Sequence, residues 1–168
     1  MLIDQKNPHG GDVYTHENAL DFSSNVNPEG MPGPVRSALA AAIDKCAQYP
    51  DPYCRALRKK TAAAEGVAEE RILFGNGASE LIYSFAYALP KEKPSLIVAP
   101  AFSEYAAALQ AAKAEADYYF TKPETGFALD REFGEIDFSR FGAVFLCSPS
   151  NPAGTVAEPE KVLELLEK

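Results

Sequence analysis

The sequence predicts an α/β fold, a three-layer sandwich with a mostly parallel sheet and helices on both faces. From Ile72 onward, short apolar runs alternate with stretches of helical periodicity, the pattern of parallel strands joined by crossover helices. Leu96-Ile97-Val98-Ala99 and Ala143-Val144-Phe145-Leu146-Cys147 are apolar at every position, as suits strands covered on both faces. The chain's 168 residues, 46% of them hydrophobic, are enough to bury roughly two thirds of the unfolded surface without a metal or disulfide staple.

Residues 1–34 read as an irregular arm, because Pro8, Gly10, Gly11, Pro28, Gly30, Pro32, Gly33 and Pro34 break any period. From Val35 the apolar positions Val35, Ala38, Leu39, Ala42, Ile43 and Cys46 trace one helical face, in a helix ending before Pro50. A second helix runs from Asp51 to about Gly66, with Gly66 as its C-terminal cap, and a short strand follows at Ile72-Leu73-Phe74. Helices are expected over Ser79–Leu89, Phe102–Ala112 and Glu158–Glu167, the last with Pro159 near its first turn. Strands are expected at Leu96–Ala99, Ala116–Phe120 and Ala143–Cys147, and 122–142 has no clear period.

Composition excludes several function classes. A net charge of −8 and a sequence pI near 4.8 oppose phosphate-backbone binding, so nucleic acid is not expected as a partner. Cys46, Cys54 and Cys147 form no CxxC pair, and His9 and His16 complete no zinc pattern, which predicts reduced thiols in a cytoplasmic protein. No apolar run reaches signal-peptide or membrane-spanning length, so no membrane association is expected.

Three loops stand where parallel sheets place their chemistry, beyond strand C-termini and ahead of helices. Gly75-Asn76-Gly77-Ala78-Ser79-Glu80 suits a phosphate at a helix N-terminus, and equally a tight turn with Ser79 as N-cap. In Pro100-Ala101-Phe102-Ser103-Glu104-Tyr105, the Phe102 ring suits stacking on a planar ligand or packing in the core. Ser148-Pro149-Ser150-Asn151-Pro152-Ala153-Gly154-Thr155 holds Asn151 between two X-Pro bonds, either of which could be cis, or is a plain Pro/Gly-rich loop.

Together with Asp21-Phe22-Ser23-Ser24-Asn25-Val26-Asn27-Pro28 in the arm and Tyr49-Pro50-Asp51-Pro52, these loops resemble the large-domain motifs of fold-type I pyridoxal phosphate enzymes, the class I/II aminotransferase family. The resemblance covers essentially the whole chain. It is strongest for the branch of histidinol-phosphate aminotransferase, an enzyme of histidine biosynthesis, and threonine-phosphate decarboxylase of cobalamin biosynthesis. His9-Gly10-Gly11, and Val26 where the histidinol-phosphate enzymes usually carry Glu, tilt it toward the decarboxylase.

The resemblance implies pyridoxal 5′-phosphate as cofactor, with its phosphate on Gly77, Ala78 and Ser79, its ring against Phe102 and its 3-oxygen facing Asn151. It implies a phosphorylated amino-acid substrate contacted by His9, Gly10 and Asn25, and a homodimer in which Tyr49 reaches the neighbouring subunit's cofactor phosphate. Residues 1–34 would be the arm and 35–168 the N-terminal part of the large domain. The family's Schiff-base lysine, the Asp that pairs with the pyridinium nitrogen and the small domain with its carboxylate-binding arginine match nothing in these residues, and Lys161 and Lys168 match no catalytic position. The expectation is therefore a front-half fragment of a transferase or lyase, inactive alone. The other reading is a non-catalytic domain that binds cofactor or phosphate, or serves assembly.

Overall fold

The computed structural model describes residues 10–16 and 18–166. The chain divides into two compact units, Met1–Phe74 and Gly75–Lys168.

In the first unit the described residues up to Pro32 form turns and bends without helix or strand, as the density of Pro and Gly predicts. Helix α1 spans Gly33–Ala42 and tightens into a 3-10 turn at Ile43–Ala47. Helix α2 spans Arg55–Glu65, starting four residues later than its periodicity suggests. Pro52 and the left-handed Cys54 (φ 47°) interrupt the helix there, while the Asp51 carboxylate accepts from the backbone N–H groups of Tyr53 (3.1 Å) and Arg55 (2.9 Å). Those bonds hold the Asp51 carboxyl below its ordinary range. Gly66 takes the left-handed capping position as expected.

The strand expected at Ile72-Leu73-Phe74 does not form. Ile72 has extended dihedrals (φ −113°, ψ 126°), but among the described residues no strand pairs with this segment, and Leu73 is 75% exposed. Extended backbone becomes sheet only when a neighbour supplies the ladder. The unit is lightly packed: Ala62 is its one buried side chain among the described residues, and Val35, Leu39 and Ile43 of the α1 face are about half exposed or more.

The second unit is the predicted sandwich. Helix α3 (Ala78–Ala88) leads to β1 (Ser95–Ala99), α4 (Ser103–Ala111) and β2 (Ala116–Phe120), then a short helix α5 (Arg131–Gly134), β3 (Ala143–Phe145) and α6 (Pro159–Leu166). The sheet has the order β2-β1-β3 and is parallel throughout, with Ser95 opposite Ala116 on one side and Ala143 on the other. Every residue of β1 is buried, which is why Leu96–Ala99 is apolar without alternation. On one face Ile97 and Phe145 pack with Ala86 of α3 and with Ala108, Leu109 and Ala112 from α4 and its end. The small alanines let the two helices approach the sheet and each other closely. On the other face Leu96 and Val98 meet Leu129, Phe133 and Phe138 from the segment whose period was unreadable. β3 stops at Phe145, two residues short of the expected Cys147, where the chain turns into the Ser148-Pro149 loop.

One polar cluster fastens that second face. Asp130 caps α5 by accepting from the Phe133 N–H at 3.1 Å, accepts a hydrogen bond from the Tyr119 hydroxyl of β2, and lies 3.6 Å from the Lys122 ammonium. The Tyr119 bond, ahead of the cap, holds the Asp130 carboxyl below its ordinary value, and burial pushes the Tyr119 hydroxyl up. A carboxyl that titrates lower folded than unfolded stabilises the fold fully above the unfolded value near pH 4, and that stability is lost as pH falls through the native value. Asp130→Asn should therefore flatten the acid limb of stability against pH. Denaturant midpoints measured from about pH 2 to 7 check this, and an unchanged acid limb would contradict it.

Among the described residues no helix is long and apolar enough to cross a membrane, and no group of three or more His, Cys, Asp or Glu is placed to hold a metal ion.

Candidate cofactor site

The site is built where β1 and β3, adjacent and parallel, release their chains at the same edge of the sheet. β1 runs into Pro100-Ala101-Phe102 and β3 into the 148–155 loop, and the two loops meet where the Ser150 hydroxyl donates to the Pro100 carbonyl at 3.5 Å. Leu81 and Ile82 of α3 line a groove with Val144, Phe145 and Leu146. The structure thus brings together two of the three loops singled out in the sequence, and places α3, which follows the third, beside β3.

The phosphate loop differs from expectation in its cap. α3 begins at Ala78, so Ser79 lies within the first turn and Gly77 is the N-cap; no side chain caps the helix. The first-turn N–H groups of Ala78 and Ser79 have no acceptor within the helix, and the helix dipole adds partial positive charge there. Gly77 spends its own N–H on the Gly75 carbonyl at 2.9 Å, so its contribution is conformational. Its φ of 79° with ψ of 168° is a region that essentially only glycine occupies. A Cβ there would meet open space, so Gly77→Ala should cost about 1–3 kcal/mol from backbone strain alone, measured by urea denaturation. A loss near zero would mean that the loop relaxes. The neighbouring Asn76 N–H donates to the Glu80 carboxylate, which leaves the Ala78 and Ser79 amides and the Ser79 hydroxyl to face an anion.

Phe102 is half-buried and precedes α4 as its N-cap residue, with its ring edge-on to Tyr105 at 6.1 Å. Asn151 is exposed in a loop fixed by its own backbone: Ser150 N–H donates to Thr155 O and Gly154 N–H to Ser150 O, both at 2.7 Å. The Ala157 N–H donates to the Ser148 hydroxyl at 3.0 Å and ties down the loop's exit. Both X-Pro bonds flanking Asn151, Ser148-Pro149 and Asn151-Pro152, are cis, as is Ala99-Pro100. An anionic phosphate, a flat ring and a ring oxygen would each find a group of the right chemistry among these residues, so they fit pyridoxal phosphate.

The remaining candidates belong to the first unit. His9 lies outside the described residues. Gly10 sits so close to Ser23 that a Cβ would fall 2.0 Å from the Ser23 carbonyl oxygen, and the Gly11 N–H donates to the Ser23 hydroxyl at 2.8 Å. The Ser23 and Ser24 hydroxyls both donate to Asp21 at 2.6 Å, which holds its carboxyl below the ordinary range. Gly10, Asp12, His16 and Asp21 line a hollow of about 530 Å³, and Asn25 is exposed beyond Ser24. Tyr49 is 92% exposed. Lys161 donates to the Leu129 carbonyl at 2.8 Å and pairs with Glu158 at 3.1 Å; Lys168 lies outside the described residues.

The family profile described as aminotransferase class I and II matches residues 17–168. The chain belongs to this family. Members of it depend on pyridoxal phosphate. The chain is 34% identical over 158 residues to a threonine-phosphate decarboxylase from Salmonella typhimurium, covering 89% of this chain and 43% of that protein. It is 33% identical over 156 residues to a histidinol-phosphate aminotransferase from Geobacillus thermodenitrificans, covering 92% and 42%. Among solved structures, the histidinol-phosphate aminotransferase from Clostridium acetobutylicum superposes with a TM-score of 0.79 at 26% identity, over 89% of this chain and 43% of that one. The chain therefore spans less than half the length of these relatives. Two side chains that the sequence reading passed over join the loops in the structure, Tyr105 and Ser150. Tyr105 was signalled by its place three residues after Phe102, one turn along the same helix.

Proposed function

We propose that this chain forms the cofactor-cradling part of a pyridoxal phosphate-dependent aminotransferase or decarboxylase that acts on a phosphorylated amino acid. The observation that supports this reading is that β1 and β3, adjacent and parallel, lead into the 100–102 and 148–155 loops at the same end of the sheet, in a chain similar to enzymes named for threonine phosphate and histidinol phosphate. In this reading the Ala78 and Ser79 amides and the Ser79 hydroxyl hold the phosphate, and Phe102 stacks on the ring and excludes water from one face. Asn151 donates its amide to the ring 3-oxygen. Bound there, the cofactor supplies the electron sink for bond breaking at the substrate's α-carbon.

His9, Gly10 and Asn25 contact the substrate's carboxylate or phosphate. The arm is residues 1–34, and 35–168 is the front of the large domain. The protein is a cytoplasmic homodimer, a reading supported by its free thiols, by Tyr49 standing exposed and by the half-exposed α1 face. Sedimentation at rising concentration should show association, and a monomer throughout would count against the dimer.

No lysine here matches the family's cofactor-attaching position, so these 168 residues should bind the cofactor reversibly without turnover. The test titrates the chain with pyridoxal phosphate, following its absorbance, then adds threonine phosphate or histidinol phosphate with 2-oxoglutarate and follows CO2 and glutamate separately. Failure to bind sinks the reading. Turnover abolished by replacing Lys161 or Lys168 would show that the lysine is misassigned.

A further inference from the structure

Four aromatic rings of the second unit link α3, β3 and the start of α4. Phe85, on the helix that begins at the phosphate loop, meets Phe145 edge-on at 5.8 Å. Phe145, on the strand that leads to Asn151, lies 5.2 Å from Tyr105 at an interplanar angle of 41°. Tyr105 in turn presents its edge to Phe102 at 6.1 Å and 88°. Phe85 is 51% exposed, Phe145 is buried, and Tyr105 and Phe102 are half-buried, so the last three rings pass from the core to the end of the sheet where the loops open.

We propose that Tyr105 is a positioning residue: wedged between Phe145 and Phe102, its ring fixes the plane of Phe102 and so sets the orientation of the cofactor ring stacked on it. The proposal rests on the reading of Phe102 as the stacking residue. Phe102 sits at the start of α4, and the ring of Tyr105 one turn along borders it edge-on and limits its tilt. An edge-to-face contact restrains an aromatic plane in a way that an aliphatic contact of equal area does not, because the ring quadrupole prefers that angle.

A second tie leaves from the other end of Tyr105. Cys147 lies near enough to help raise the Tyr105 hydroxyl, and its own thiol donates to the Pro149 carbonyl at 3.2 Å at the base of the Asn151 loop. Burial first, then Cys147, push the Tyr105 hydroxyl up to about 12, so it stays a neutral phenol at ordinary pH. One side chain thereby borders both the ring-stacking residue and the loop that meets the ring oxygen. No core-filling role alone requires that placement, since Leu or Met would fill the same space.

The experiment compares pyridoxal phosphate affinity, and the circular dichroism induced in the bound cofactor's absorption band, in the parent 168-residue chain and in Phe102→Ala, Tyr105→Leu and Tyr105→Phe. Far-UV circular dichroism confirms folding, and Tyr105→Met replaces Tyr105→Leu if the latter does not fold. Tyr105→Leu is expected to weaken binding about three- to tenfold, the worth of one or two aromatic contacts, and to reduce the induced band, while Tyr105→Phe keeps both near the parent.

Parent-like affinity and band in Tyr105→Leu, with Phe102→Ala weakened, would overturn the positioning role and leave the stacking reading standing. Parent-like binding in Phe102→Ala would overturn the stacking reading and the proposal with it. If Tyr105→Phe behaves like Tyr105→Leu, the hydroxyl and not the ring acts, and the wedge is overturned.

Discussion

Leu109→Ala should lower the unfolding free energy by about 2–5 kcal/mol, the range for emptying a buried leucine site, and urea denaturation of the parent and variant measures it. Leu109 is 0% exposed, and it packs between α4 and the sheet beside Ile97 and Phe145. The other buried members of that cluster are Ala86, Ala108 and Ala112, short side chains with little reach into the space left behind. A poorly collapsing site puts the cost toward the upper end, because the cavity adds to the lost transfer energy. Against a total stability of about 5–15 kcal/mol for an ordinary domain, that is a large share. The effect should reach the site too, since α4 carries Phe102 and Tyr105. A loss below about 1 kcal/mol would show that α4 is not docked on the sheet as described.

The same crowding explains what could be read from the sequence. β1 was legible because burial on both faces leaves Leu96–Ala99 apolar without a break, and that signature survives without any neighbour in view. α3 and α4 were legible from period, with their ends displaced by a residue or so. Ser79 was misplaced as the cap because a serine before an apolar run is the usual signal, and here a glycine with positive φ took the position instead. Ile72-Leu73-Phe74 failed for a different reason: an apolar run says that a segment can join a sheet, while joining depends on a partner elsewhere in the chain. The 122–142 stretch was unreadable because its order comes from side-chain caps and contacts. Asp130 and Asp137 each hold a short turn through a carboxylate, and Phe133 and Phe138 enter the core from turns too short to show a period.

Within the site, the loops could be found from spacing and their convergence could not. Phe102 and Asn151 lie 49 positions apart, and only the parallel pairing of β1 with β3 brings their loops together. Tyr105 escaped notice because an aromatic residue on a helix has an ordinary core explanation. Its special feature, a ring edge against Phe102 and a hydroxyl against Cys147, exists only in three dimensions.

Ala78→Pro should weaken pyridoxal phosphate binding about ten- to a hundredfold, the worth of one charge-assisted hydrogen bond, while leaving the fold intact. Ala78 is the first residue of α3, the one helical position where proline is favoured: the N–H it removes has no partner within the helix, and its fixed φ matches the first turn. The residue before it is glycine, which tolerates the crowding that a proline ring imposes on its predecessor. Stability measured by urea should therefore stay near the parent value while affinity falls, a separation that a general disruption of the loop would not give. Ser79→Ala should weaken binding less, since it removes one hydroxyl and keeps the backbone amide. Inorganic phosphate, competing with the cofactor in the same titration, should lose affinity in both variants, because the lost contacts face the phosphate and not the ring. If Ala78→Pro binds both ligands as the parent does, the anion does not sit at the start of α3.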